Sequence, residues 1–219
     1  MHDLEVGEHL HRFPGGLKLR HHKQIACRDP LTRPEMPEAL YLPLQQHQGP
    51  VGELLVQPGD RVLKGQPLSR ARNDREVPVH APTSGTILEI KPWPVSWPPG
   101  GEAECLVLEP GGKEAWSETT KLNNWREAEP TDLVERIRAA GLAGLGGAMF
   151  PTAAKLRGDW QHVQTLILNG SECEPYISCD EMLMRERPEA IIEGGLILAR
   201  ALGAGRVVIA IEDQMGAVE

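Results

Sequence analysis

The chain has 219 residues, 40% hydrophobic and 25% charged, enough for one or two packed domains and unlike the composition of a disordered polymer. A net charge of −8 excludes a broad nucleic-acid surface held by phosphate neutralisation, while leaving room for a local site that takes a small anion. Aromatic residues are only 4%, so the core must be aliphatic. No apolar run reaches the ~18 residues of a membrane span. The best candidate, from Ile191 to Leu202, is interrupted by Glu193 and Arg200. The N-terminus is polar and lacks the basic-then-apolar order of a signal peptide. Cys27, Cys105, Cys173 and Cys179 form no Cys-x-x-Cys pair, which points to a cytosolic chain with free thiols.

Residues 1–50 show no sustained period, and the histidines at 9, 11, 21 and 22 read as a solvated arm with no fixed ligand geometry. From Gly52 the pattern changes to short β runs with a glycine at each corner, the mark of a small, tightly curved β sandwich. Strands are expected around 52–56, 61–63, 67–68, 77–79, 86–90 and 105–108. A Pro- and Gly-rich passage separates the last two. A helix is predicted from Thr131, which can cap it, with Leu133, Val134 and Ile137 on one face and Gly141 as its C′ residue. Thr165–Asn169 reads as a buried strand, Pro188 opens a helix to Leu202 that Gly203 ends, and Arg206–Ile211 is a further strand. Strand, helix and strand in continuous apolar runs predict a βαβ unit with a parallel sheet.

Three segments carry chemistry. The run Gly52-x-x-x-Val-x-x-Gly-Asp-x-Val-x-x-Gly-Gln-x-Leu68, with Ala81-Pro-x-Ser-Gly-x-Ile87, resembles the biotinyl/lipoyl barrel-sandwich domain. Carrier members present a lysine at the hairpin tip. Here the tip is Arg72-Asn73-Asp74-Arg75, so a rigid docking module without a swinging arm is expected. The second segment holds Gly141, Gly144, Gly146 and Gly147, then Ala148, Phe150, Pro151 and Lys155. Glycines let backbone amides converge on an anion, Pro151 suits the first turn of a helix whose dipole would help, and Lys155 adds a charge. A plain flexible turn fits the same residues. The third segment follows the strand end: Asn169, Gly170, Ser171, Glu172, Cys173 and Glu174. Polar residues beyond the carboxyl end of a parallel strand are where ligands bind in open α/β sheets. Asn169 and Ser171 can hydrogen-bond a heterocycle or a ribityl hydroxyl, and Glu172 and Glu174 a ribose. An acidic solvated turn is the alternative.

The stretches Gly144-Leu-Gly-Gly-Ala-Met-Phe-Pro-Thr and Asn169-Gly-Ser-Glu-Cys-Glu-Pro-Tyr-Ile-Ser-Cys-Asp, with Leu183-Met-Arg-Glu, closely resemble the RnfC family, one of the components of the Rnf electron-transport complex. That family's flavin domain is similar to the NADH-binding flavoprotein of respiratory complex I. Phe13-Pro-Gly-Gly and the barrel-sandwich segment fit the same family. The resemblance implies a mixed α+β and α/β chain. Residues 1–50 would be an irregular arm packing on the barrel, 51–112 a barrel-sandwich hybrid domain, 113–130 a linker, and 131–219 the first part of an α/β FMN/NADH-binding domain. It implies FMN held by Gly144, Gly146, Gly147, Ala148, Lys155, Asn169, Ser171 and Glu172. NADH would stack on Phe150 with Glu174 nearby. Hydride transfer to flavin needs no side chain as acid or base, so no catalytic residue and no metal ligand is expected.

It also implies a peripheral protein on the cytoplasmic side of the bacterial inner membrane, held there by the other subunits of the Rnf complex, with no nucleic-acid partner. Such a protein couples electron transfer between NADH and ferredoxin to ion translocation. This sequence departs from the pattern in three ways. Ala143 and Leu145 stand where the complex I loop has arginines. The ferredoxin-type cysteine motifs for 4Fe–4S clusters are absent. The chain stops at Glu219, soon after the last predicted strand, and is expected to be a shortened form that does not complete electron transfer alone. The alternative is a non-catalytic docking protein with an incomplete flavin site, similar to the barrel-sandwich component of the sodium-pumping NADH:quinone reductase.

Overall fold

The computed structural model describes residues 15, 19–96, 101–122, 124–145, 148–158, 162–212 and 215. In chain order its elements are α1 (Lys23–Ala26), β1 (Leu40–Pro43), β2 (Glu53–Leu54), β3 (Arg61–Val62), β4 (Ser69–Arg70), β5 (Gly85–Pro94) and β6 (Glu102–Pro110). Then follow α2 (Pro130–Ala139), α3 (Thr152–Leu156), β7 (Thr165–Asn169), α4 (Cys179–Glu186), α5 (Pro188–Leu202) and β8 (Arg206–Ala210). These divide into two compact units: Glu35–Trp160, and Met1–Pro34 together with Gln161–Glu219.

The first unit is built on an antiparallel sheet in the order β1-β6-β5-β3, with β2 and β4 forming a second, two-stranded sheet. The long β5–β6 hairpin sets the register, Ile87 opposite Leu108 and Ile90 opposite Leu106, with a bulge between Ile87 and Glu89 that leaves Leu88 outside the ladder and exposed. Ile87, Leu106 and Leu108 are fully buried and pack with Leu44, Val62, Leu68, Val79 and Ala81. The glycine at the start of β5 is required by space. A Cβ on Gly85 would lie 2.1 Å from the Glu109 carbonyl oxygen, so only glycine lets the two strands meet there.

Two parts of this unit differ from the sequence reading. Residues 40–43, expected in an irregular arm, form β1, an edge strand paired from Leu40↔Leu108 to Pro43↔Cys105. The short apolar run was hidden by prolines on either side. The expected linker is also tied down. Lys64 N–H donates to the Ala115 carbonyl and Ser117 N–H returns to the Lys64 carbonyl, both at 2.9 Å. The hairpin tip is knitted to its surroundings: Arg72 and Asn73 donate to the buried Glu76 carboxylate, and Asp74 pairs with Arg157 at 3.1 Å.

Helix α2 buries Leu133, Val134 and Ile137, the face read from the sequence, and Gly141 follows it with φ 72°. The start lies one residue earlier than expected. Pro130 occupies the first turn, so Thr131 sits inside the helix and no side chain caps it. A Cβ on Gly141 would come within 2.4 Å of the Pro78 carbonyl, and the His80 ring lies beside it, so the C-terminus of α2 seats directly on the barrel.

In the second unit β7 and β8 pair in parallel, Thr165↔Arg206 through Asn169↔Ala210, as the apolar runs predict, but β7 is not the buried strand expected: its residues alternate between exposed and half-buried, with Ile167 61% exposed. Two helices, not one, connect them: α4 is an addition to the predicted elements. Gly195 of α5 allows the helix onto the sheet, since a Cβ there would meet Leu168 Cδ1 at 2.7 Å.

Burial holds the pKa of His47 and of His80 below the ordinary 6.5, an effect only partly offset by the carbonyls of Pro50 and Arg75 for the former and of Ala139 and Pro78 for the latter. The unfolded chain therefore takes up protons that the folded barrel unit refuses. Stability should be level above about pH 6.5 and fall as pH drops from there toward the lowered folded values. Denaturant titrations from about pH 8 to about pH 5 should show this slope, and His80→Gln should reduce it by removing one of the two groups.

Candidate functional site

The sequence-predicted site residues fall in both units, and each group has its own geometry. In the barrel unit the glycine-rich segment is a closed turn. Gly144 N–H donates to the Phe150 carbonyl and Thr152 N–H to the Leu142 carbonyl, both at 3.0 Å, with Ala143 bridged to Pro151. Gln48 N–H donates to the Met149 carbonyl at 2.8 Å, fixing the turn to the segment that follows β1. Gly146 and Gly147 lie outside the described residues. Met149 has φ 45°, a left-handed conformation that a side-chain-bearing residue adopts only when its surroundings impose it.

This geometry changes the part played by Gly144. Its N–H is spent inside the turn, so it does not serve as an anion donor. Its missing side chain makes room for a cation instead: a Cβ there would lie 3.1 Å from Lys155 Nζ. The ammonium sits 6.0 Å from the centre of the Phe150 ring, while Leu145 and Ala148 are exposed at the turn's surface. Helix α3 has five residues, a single turn and a little more, so the dipole expected behind Pro151 is short and Lys155 supplies the positive charge. A cavity of about 270 Å³ adjoins the segment, lined by His47, Val79, His80, Leu142, Ala143 and Leu145 among others.

In the second unit the residues beyond β7 separate into those that face outward and one that does not. Asn169 is exposed, and its Oδ1 accepts from Ser171 N–H at 3.2 Å in a local turn. Cys173 and Glu174 are exposed. Glu172 is 4% exposed and turned inward. Its carboxylate accepts from Asp180 N–H at 2.9 Å, Glu181 N–H at 3.2 Å and Cys179 Sγ at 3.1 Å. Those are the opening residues of α4, whose own preceding residue, Ser178, makes no side-chain cap. Glu172 therefore caps α4 from seven residues upstream of Cys179. The ribose role read for Glu172 from the sequence does not match this orientation: a caged carboxylate anchors the corner, and Glu174 is the acid left facing solvent.

Charge follows from the same contacts. Burial pushes the Glu172 carboxyl up, but the donors from Asp180, Cys179 and Glu181, with the Lys23 ammonium, outweigh it and hold the group below its usual range. The Cys179 thiol is raised, first by its hydrogen bond to Glu172 and then by burial. Asp180 is raised by burial and by the neighbouring Glu172 charge. Glu172, Cys179 and Asp180 offer three potential metal-ligand atoms within 4.8 Å of one another, and both Glu172 oxygens already accept from the start of α4. Sequence reasoning overlooked Lys23 and Glu212, which hold the backbone of Glu172. Glu212 follows the last predicted strand much as Asn169 ends the first, and that position was a usable signal; a lysine after two histidines carried none.

Cys179 should alkylate more slowly than an ordinary exposed thiol, and Glu172→Gln should speed it by removing the negative partner that keeps the thiol protonated. Mass-spectrometric mapping of iodoacetamide labelling over time checks this. The same substitution should cost roughly 1.5–3 kcal/mol of stability at neutral pH. Because the folded pKa is lowered, that difference should hold above the ordinary 4.5, where the unfolded carboxyl is ionised, and shrink as pH falls from there through the lowered folded value.

Comparison with known proteins gives two family matches in tandem. Residues 11–113 match the model described as the RnfC barrel sandwich hybrid domain, and residues 137–218 that described as the Nuo51 FMN-binding domain. Over 206 residues the chain is 49% identical to the C subunit of the ion-translocating oxidoreductase complex from Edwardsiella ictaluri (strain 93-146), covering 94% of this chain and 26% of that protein. The corresponding protein of Serratia proteamaculans (strain 568) is 47% identical over 201 residues, 92% of this chain and 28% of that protein. That of Haemophilus influenzae (strain PittEE) is 46% identical over 201 residues, 92% of this chain and 31% of that protein. The chain thus spans 26–31% of the length of these relatives.

Proposed function

Because the chain belongs to the RnfC family of ion-translocating oxidoreductase complexes, we propose that it forms the flavin-bearing electron-entry part of an RnfC protein. In this reading NADH delivers electrons to FMN, and the complex couples their passage between NADH and ferredoxin to ion translocation. In the same reading the iron–sulfur clusters are carried outside the residues of this chain. No described helix is long and apolar enough to cross a membrane, in keeping with a peripheral protein held on the cytoplasmic face by its partners.

The observation that carries the reading is the closed glycine-rich turn with an ammonium at its open side. A phosphate needs a cation and a surface without Cβ obstruction, and Lys155 beside Gly144 provides both. The residues present therefore fit FMN. Bound flavin would supply two-electron acceptance and one-electron release; the protein's part is binding and orientation. Lys155 neutralises phosphate charge, and Phe150 offers a ring face for a planar base. Asn169 and Ser171 present polar edges beyond the β7 carboxyl end. Glu174, exposed, is suited to the hydroxyls of a nicotinamide nucleotide, while Glu172 keeps that loop in shape from inside. A docking role without flavin is favoured by one observation: the Gly144 N–H and the Asn169 Oδ1 are already satisfied within their own loops.

Titration of FMN into the protein, followed by flavin fluorescence, separates the two. Lys155→Ala should weaken binding by about ten- to a hundredfold, the loss of one charge-assisted contact. Gly144→Val should weaken it by a comparable factor by displacing the ammonium. Glu174→Ala should leave FMN affinity at the wild-type value and weaken only reduction by NADH. Wild-type protein that leaves flavin fluorescence unchanged would overturn the FMN reading.

A further inference from the structure

Residues 21–31 lie inside the stretch matched by the barrel-sandwich model, yet they belong to the unit that holds β7, α4, α5 and β8. They are fastened there along their length. Tyr176 N–H donates to the His21 carbonyl at 2.7 Å, and the His22 ring stacks on Tyr176 with centroids 5.0 Å apart and planes inclined by 12°. Cys27 Sγ donates to Glu181 Oε2 at 3.5 Å, and Leu31 N–H to Glu186 Oε1 at 2.6 Å. At the centre is Lys23, 5% exposed. Its ammonium donates to the Glu172 carbonyl oxygen and pairs with Glu212 Oε1 at 3.9 Å.

A buried ammonium is tolerated only where acceptors replace its water, so its position is tightly specified. Here those acceptors converge on one residue. Glu212 Oε1 also accepts the Glu172 N–H at 2.8 Å, and the Glu172 carboxylate is held by α4. The N–H, the carbonyl and the carboxylate of Glu172 are therefore all fixed, the first two through the Lys23–Glu212 pair. Ser171 on one side and Cys173 and Glu174 on the other inherit that restraint. His22 and Tyr176 have φ 54° and 67°, conformations that cost of order 1–3 kcal/mol each and persist where packing over-determines them. They stack on each other at this junction.

We propose that residues 21–31 are a clamp on the 170–178 loop and that Lys23 is a positioning residue for flavin and nucleotide binding there, acting through Glu172. The proposal rests on the FMN reading for its functional half, and on contacts alone for its structural half. It assigns to the unit of β7, α4, α5 and β8 a segment that the family match counts with the barrel.

The test uses the full chain in two arms. Without flavin, hydrogen exchange and iodoacetamide labelling are compared for wild type, Lys23→Met, Lys23→Arg and Glu212→Gln. Lys23→Met should speed exchange at the Glu172, Asp180 and Glu181 amides by about tenfold or more and expose Cys179 to faster labelling, with β7 and β8 still protected. Lys23→Arg, which keeps the charge and donors, should restore much of the wild-type pattern, and Glu212→Gln should loosen the same amides less. With flavin, Lys23→Met should bind FMN about tenfold more weakly, with Lys23→Arg between it and wild type.

Unchanged exchange at those amides in Lys23→Met overturns the clamp. Faster exchange with unchanged FMN affinity overturns the positioning role. Wild type that binds no FMN refutes the functional reading and with it the positioning role, while the flavin-free arm still decides the clamp. Should Lys23→Met fail to fold, Glu212→Gln decides: wild-type exchange and wild-type FMN affinity in that variant overturn the proposal.

Discussion

A carboxylate kept from water must be given donors, and the second unit is arranged around that requirement at Glu172. With 4% exposure the group would be driven toward its neutral form, and the amides of Asp180 and Glu181 and the Cys179 thiol prevent it. The same bonds satisfy the first turn of α4, which has no cap of its own. One interaction thus ends the strand exit, starts the helix and fixes the corner between them. The exposure of Cys173 and Glu174 is a consequence: where Glu172 points in, the residues after it are presented.

The barrel unit solves a comparable problem with backbone alone. Its glycine-rich turn is closed by the Gly144–Phe150 and Leu142–Thr152 bonds and held by Gln48, all between main-chain groups. Main-chain closure leaves side chains free to differ, which is how Ala143 and Leu145 can stand in the turn without disturbing it. It also concentrates electrostatics on Lys155, since no other cation belongs to the described residues of the turn and α3. Arg157, just beyond, is engaged with Asp74 and Glu135 and so serves the junction between α3, α2 and the hairpin tip.

Much of this was legible in the sequence, and the exceptions have physical causes. Continuous apolar runs gave β7 and β8 and their parallel pairing, and the Leu133, Val134 and Ile137 face with Gly141 gave α2, because burial period and positive φ are local signals. β1 escaped because an edge strand of four residues flanked by prolines has no period to detect. α4 was overlooked although Ser178 stands where a capping residue is sought, with Glu181 three residues on; that hydroxyl makes no cap, and the working cap comes from Glu172, at a distance along the chain that no local pattern shows. The direction of Glu172 was illegible for the same reason. Composition says that an acid is present; only the fold says which way it faces.

That last point bears on how a dense motif should be read. Asn169 to Glu174 looks uniform in sequence, a run of polar residues past a strand, and invites the same role for each. A loop offering several ligand groups needs at least one residue that offers none, because unrestrained polar side chains would each cost conformational entropy on binding. In the proposed reading Glu172 is that residue; its N–H bonds Glu212, which pairs with Lys23, two charges remote from it in sequence. A run of apparent ligands is therefore better understood as alternating presentation and anchorage. The anchoring member is recognised by low exposure and full hydrogen-bond occupancy, as at Glu172, and exposure alone marks the others, since Asn169 Oδ1 is itself bonded within the loop.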